Sequence, residues 1–99
     1  MTWHSIVEDD SNIIRADLAG VPVLVIRVGG EWHAIEDRCS HADCAFSTDG
    51  EIDGLIAVCD CHGSEFDVAT GAVLAPPAEE PIRTFPVRVS DGGDIEVQL

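Results

Sequence analysis

Two short clusters constrain this chain more than any other feature: Cys39-Ser40-His41 and Cys59-Asp60-Cys61-His62. Each offers one thiolate and one imidazole, so a shared metal centre forms only in a fold that brings the two segments together. A Cys₂His₂ set split over two loops encloses either one zinc ion or a two-iron, two-sulfide cluster. Zinc fingers of this composition commonly pair like ligands, a C-x₂₋₄-C followed by an H-x₃₋₅-H. Here each half-site is one Cys followed closely by one His, which suits a cluster whose cysteines hold one iron and whose histidines hold the other. A four-cysteine ferredoxin set fits poorly, because the plant-type run C-x₄-C-x₂-C is absent.

At 99 residues the chain suits one compact domain, residues 1–99, with a core small enough that a centre tying loops together matters to folding as well. Nineteen acidic side chains against five arginines and no lysine give a formal charge of −14. That charge opposes binding to nucleic acid or an anionic membrane and favours basic partners, while also forming a solvated surface. The most apolar run, Val21 to Ile26, is far shorter than the roughly 20 residues of a membrane span. The first residues show neither a basic start nor an apolar export segment. No membrane association and a cytoplasmic location are therefore expected, and four cysteines in a reducing compartment point to metal or redox work.

The backbone reading is all-β. No stretch keeps a helical apolar period for three turns, and short aliphatic runs alternate with Gly, Asp and Pro. Val21–Val28 and Glu31–Glu36 flank Gly29-Gly30, and Thr84–Val89 and Ile95–Gln98 flank Asp91-Gly92-Gly93-Asp94. Two further hairpins are expected around Asp53-Gly54 (Glu51-Ile52 with Leu55–Val58) and Thr70-Gly71 (Glu65–Ala69 with Ala72–Leu74), beside the donor clusters. Pro76-Pro77 with Ala78-Glu79-Glu80-Pro81 reads as a stiff loop, and Pro86 marks a strand edge or bulge. His4 and His33 lie in strand-like sequence without a partner cysteine and read as ordinary side chains.

On these residues the chain resembles the Rieske family, whose motif C-x-H…C-x-x-H-G matches Cys39, His41, Cys59, His62 and Gly63. The likeness continues through Cys61-His62-Gly63-Ser64-Glu65-Phe66-Asp67, through Thr70-Gly71 and into the Pro76-Pro77 loop that covers the cluster in family members. It implies a small antiparallel β-sandwich holding a [2Fe-2S] cluster at the tips of two hairpin loops, with Cys39, His41, Cys59 and His62 as ligands. In cytochrome bc-class members a cysteine three residues after the first ligand histidine pairs with one just before the second. Cys44 and Cys61 occupy those positions, so the resemblance implies a Cys44–Cys61 disulfide. Ser64 sits where such members place a hydroxyl on a cluster sulfide, and Phe66 replaces the tyrosine that gives a second such bond.

The function implied is that of a monomeric one-electron carrier. It would take electrons from a flavin-containing ferredoxin reductase and pass them to a terminal Rieske oxygenase or similar enzyme, performing no bond chemistry itself. Alternatives are the small subunit of a larger oxidoreductase such as nitrite reductase, or a structural metal or disulfide module. Two neutral imidazoles raise the potential of such a cluster above that of a four-cysteine one, into a range of about −150 to +300 mV. A Ser64 bond would favour the reduced form, whereas Asp43, Asp60 and Glu65 would oppose it. The prediction is an intermediate midpoint potential that falls with rising pH once a ligand imidazole deprotonates. A redox titration across neutral and alkaline pH checks both, and a value at either end of the range or a pH-flat profile contradicts the reading.

Overall fold

The structure, a computed structural model, describes residues 2–6, 11–40, 44–61 and 63–99. Within them the strands are β1 Trp3–Ile6, β2 Ile13–Leu18, β3 Val21–Val28, β4 Glu31–Glu36, β5 Gly50–Asp53, β6 Ile56–Cys59, β7 Ser64–Asp67, β8 Val73–Ala75, β9 Thr84–Phe85, β10 Val87–Val89 and β11 Ile95–Gln98. One helical turn, α1 Phe46–Asp49, precedes β5. All pairings are antiparallel and form three sheets, ordered β1-β11-β10, β2-β3-β4-β9 and β5-β6-β7-β8. No helix among the described residues is long and apolar enough to cross a membrane.

The unbroken apolar run in β3 has its explanation in this layering. Val23 and Val25, with Ala34 of β4, share a core with Ile6, Ile95 and Val97 of the first sheet. Leu24 and Ile26, with Ile35, face the other way and pack with Phe46, Ala57, Cys59 and Phe66. The β2-β3-β4-β9 sheet therefore lies between the other two and is apolar on both sides, so β3 loses the polar-apolar alternation of a strand with one wet face. Two small sandwiches share that sheet, and the second carries both cysteine clusters.

The β3–β4 turn falls at Gly29-Gly30 as expected, with Val28 opposite Glu31 and both glycines at positive φ (60 and 83), the geometry of a twist-matched two-residue turn. The turn before β6 lies one residue later than the sequence suggests. Asp53 faces Ile56, so Gly54-Leu55 make the corner rather than Asp53-Gly54. The expected strand Thr84–Val89 is split in two. Thr84 and Phe85 pair with β4, whereas Val87 to Val89 pair with β11, because Pro86 has no N–H to continue one ladder and the chain changes sheets there. A hairpin at Ala19-Gly20 joins β2 to β3, and its signal is muted by an alanine (φ 51) where Gly or Asn is usual.

Beyond β7 the chain turns through Gly71, at φ +80, where an added Cβ would meet the backbone carbonyl oxygen of Ile82. That close approach is bonded, since Ile82 N–H donates to the Gly71 carbonyl at 2.9 Å. It seats the segment running back from the proline loop against the β7–β8 turn. Gly71→Ala combines about 1–2 kcal/mol of left-handed strain with displacement of fixed backbone. A loss of at least ~2 kcal/mol is expected, seen as a Tm lower by about 8 °C or more in a thermal melt.

Candidate metal centre

The first donor segment leaves β4 at Glu36. Asp37 N–H still bonds the Pro22 carbonyl at 2.9 Å, so the sheet reaches almost to Cys39. Cys39 is buried at 3% exposure, and its N–H donates to the Cys44 carbonyl at 2.9 Å. The chain then enters α1, whose N-cap Ala45 supplies no side-chain cap. Asp37 does so from a distance, accepting the Ser47 N–H at 3.0 Å and the Ser47 hydroxyl, which meets part of the demand of the first helical turn. This loop is longer than a hairpin turn because it carries the chain from the central sheet to the third.

The second segment is the tip of the β6–β7 hairpin. Cys59 ends β6 opposite Ser64 and is buried at 1% exposure. Gly63 N–H reaches the Cys59 carbonyl at 2.8 Å, making the tip tight. Asp60 N–H donates to the Asp49 carbonyl at 2.9 Å, so the hairpin tip leans on the far end of α1. The Cys44–Cys61 disulfide joins the two loops across a Cα–Cα distance of 6.7 Å. With a sequence separation of 17, closing that loop stabilises by about 3 kcal/mol on the chain-entropy account. The sulfurs of Cys44, Cys59 and Cys61 lie within 4.8 Å of one another, yet two of them are spent on the disulfide and supply no thiolate.

A third segment closes over both. The Pro76-Pro77 bond is cis, and Ser64, fully buried at the start of β7, accepts the Ala78 N–H at 3.0 Å. That bond uses an oxygen lone pair and leaves the hydroxyl proton to donate elsewhere. Ser40, next to Cys39, donates to the Glu80 carbonyl at 2.6 Å. Each donor loop thus lends one serine to the proline loop. Ser40, Pro77, Glu79 and Glu80 line an open cleft of about 360 Å³ at this end of the molecule.

The described donors suit a metal–sulfur centre: Cys39 and Cys59 are both buried, neither is in a disulfide, and they stand on two loops that are covalently tied. An apolar layer lies behind them, where Phe66 meets Phe46 edge to face at a centroid distance of 5.7 Å. Phe66, matched by resemblance to a position beside the cluster, is a core residue here with 0% exposure. His41, Asp43 and His62 lie outside the described residues. His4 and His33 sit in β1 and β4, half-buried and opposite Val97 and Ile26. Glu65 is half-buried in β7, and Asp60 is exposed at the hairpin tip.

Sequence reasoning did not single out Asp37, Ser40 or Ser47. Asp37 also accepts a hydrogen bond from Arg15 Nε at 3.2 Å, and Arg15 bonds Asp17 at 3.1 Å. The Asp17 hydrogen bond and charge, followed by those of Asp37, raise the Arg15 pKa further above its ordinary value. In the sequence Asp37 is one more acid in the charged run Glu36-Asp37-Arg38, and only burial distinguishes it.

Comparison with known proteins agrees with this geometry. Residues 4–86 match the Rieske [2Fe-2S] domain. The chain is 38% identical over 91 residues to the ferredoxin component of the p-cumate 2,3-dioxygenase system of Pseudomonas putida, covering 91% of this chain and 76% of that protein. Its fold is similar to the ferredoxin of carbazole 1,9a-dioxygenase from Nocardioides aromaticivorans IC177, with a TM-score of 0.76, 36% identity and coverage of 87% and 83%. A chain in the complex of reduced oxygenase and oxidized ferredoxin of carbazole 1,9a-dioxygenase gives a TM-score of 0.83 at 31% identity, covering 96% of this chain and 91% of that one.

Ser64→Ala tests the serine ties. It strands the Ala78 N–H in a buried position, which costs about 1–3 kcal/mol. Hydrogen exchange at Ala78 and its neighbours should accelerate more than at the distant β1–β11 ladder. Equal exchange in both places would show that the serine does not hold the loop.

Proposed function

This chain belongs to the Rieske [2Fe-2S] domain family, and we propose that within it Cys39 and Cys59 hold one iron while His41 and His62 hold the other. The protein is an electron-transfer component and not a catalyst of bond chemistry. The observation that carries the ligand assignment is the pair of buried cysteines outside the disulfide, on two loops that the Cys44–Cys61 bond joins. When bound, the cluster supplies a one-electron couple. The chain's own groups do the rest. Burial of Cys39 and Cys59 keeps water from their thiolates, and the hydroxyl proton of Ser64 is available to the site beneath the proline loop. The Phe46–Phe66 layer closes the side away from solvent.

The donor is a flavin-containing reductase and the acceptor a terminal Rieske oxygenase, both in the cytoplasm. Support for the acceptor comes from the carbazole 1,9a-dioxygenase system, in which a similar chain is seen in complex with an oxygenase. The formal charge of −14 steers the carrier toward basic docking surfaces, a long-range effect that salt screens.

Anaerobic purification followed by dithionite reduction tests the reading. The expected result is a reddish-brown protein with two irons per chain and a low-temperature paramagnetic signal, lost together with iron in Cys39→Ser. A colourless protein loaded with zinc, or an unchanged signal in that variant, would contradict the ligand assignment.

A further inference from the structure

Buried polar or charged residues among those described are few, and Asp37 is the charged one: the residue is 2% exposed and its side chain 0%. A buried carboxylate is costly unless paired and hydrogen-bonded. Asp37 meets that condition through three hydrogen bonds from two other segments. Ser47 at the start of α1 donates both its N–H and its hydroxyl, and Arg15 of β2 donates Nε–H at 3.2 Å. Arg15 is 46% exposed and divides its charge between Asp37 and Asp17.

The placement links this pair to the electron-carrying end. Asp37 lies two residues before Cys39, whose N–H bonds the Cys44 carbonyl. Through Ser47 the carboxylate fixes the start of α1, whose Asp49 carbonyl receives the Asp60 N–H next to Cys59. A neutral amide could keep the Ser47 N–H bond with its oxygen but not the two bonds that Oδ2 accepts. The negative charge is additional, and it sits in an interior where fixed charges act more strongly than in water.

We propose that Asp37 is a positioning residue for the electron-transfer centre, its charge holding the midpoint potential down while Arg15 partly offsets it. The inference rests on the assignment of iron to Cys39 made above. A negative charge two residues from a ligand cysteine makes addition of an electron less favourable, and the guanidinium bonded to it has the opposite sign. The same two groups clamp the loop, so both also contribute to stability.

Asp37→Asn and Arg15→Gln, each prepared as the iron-loaded protein, separate these roles. Iron per chain, thermal midpoint and redox midpoint are measured for both. Asp37→Asn keeps an oxygen for the Ser47 N–H and loses the charge, so its potential should shift upward. Arg15→Gln should shift downward, while both variants melt at lower temperature than the wild type. Opposite potential shifts accompanying same-sign stability losses are what a purely structural role does not produce. Loaded variants that share the wild-type potential, or move in one direction together, overturn the proposal. If Asp37→Asn does not fold, Arg15→Gln alone decides, and an unchanged or raised potential overturns it. A wild-type protein with no reducible centre would bring down the iron assignment itself, and this proposal with it.

Discussion

The working end of this molecule depends on holding loops from two different sheets against each other. The Cys39 loop leaves the central sheet, whereas Cys59 ends a strand of the third sheet, and no backbone ladder joins those strands. Other bonds must therefore do what strand pairing cannot. The Cys44–Cys61 disulfide crosses the gap covalently, while the Asp60 N–H to Asp49 carbonyl bond extends the β5–β6 ladder and anchors the hairpin tip to the end of α1. Ser40 and Ser64 tie the proline loop to one donor segment each. With so small a core, such local ties make up a large share of what orders the face.

Behind the loops stands a sheet buried on both sides. Residues of β3 alternate between two cores, Val23 and Val25 in one and Leu24 and Ile26 in the other, so movement of that strand would disturb both at once. Close packing makes such a platform stiff. A one-electron carrier benefits from a site whose donors move little between oxidation levels, and the layout supplies stiffness where the donors attach. Arg27 over Trp32 and Arg88 over Trp3, at 5.6 and 4.0 Å from the ring centroids, place two of the few cations on aromatic faces, one at the end of the inner strand β3 and one on the edge strand β10. The donor loops themselves carry mainly acidic and small residues.

Much of this was legible from residue order. The turn at Gly29-Gly30 announced itself because paired glycines supply the positive φ that a two-residue hairpin requires. The donor residues stood out because alternating Cys and His at short spacing is rare outside metal sites. Other features were hidden for physical reasons. Ala19-Gly20 lacked the usual turn composition, and Pro86 signalled a broken ladder without saying that the two halves would join different sheets. Asp37 looked like one more solvated acid in a chain with nineteen acidic side chains.

The pairing of Cys44 with Cys61 was implied by the family resemblance, whereas residue types and their spacing by themselves determined the all-β class, the candidate donors and the acidic surface. These are local or additive properties of a chain. Only the tertiary structure decided that the central sheet is covered on both faces, that Phe66 is core, and that Ser64 accepts the Ala78 N–H. It alone decided that Arg15 and Ser47 converge on a buried Asp37. Burial and hydrogen-bond partnership depend on which distant segments meet, and that meeting is a property of the packed whole.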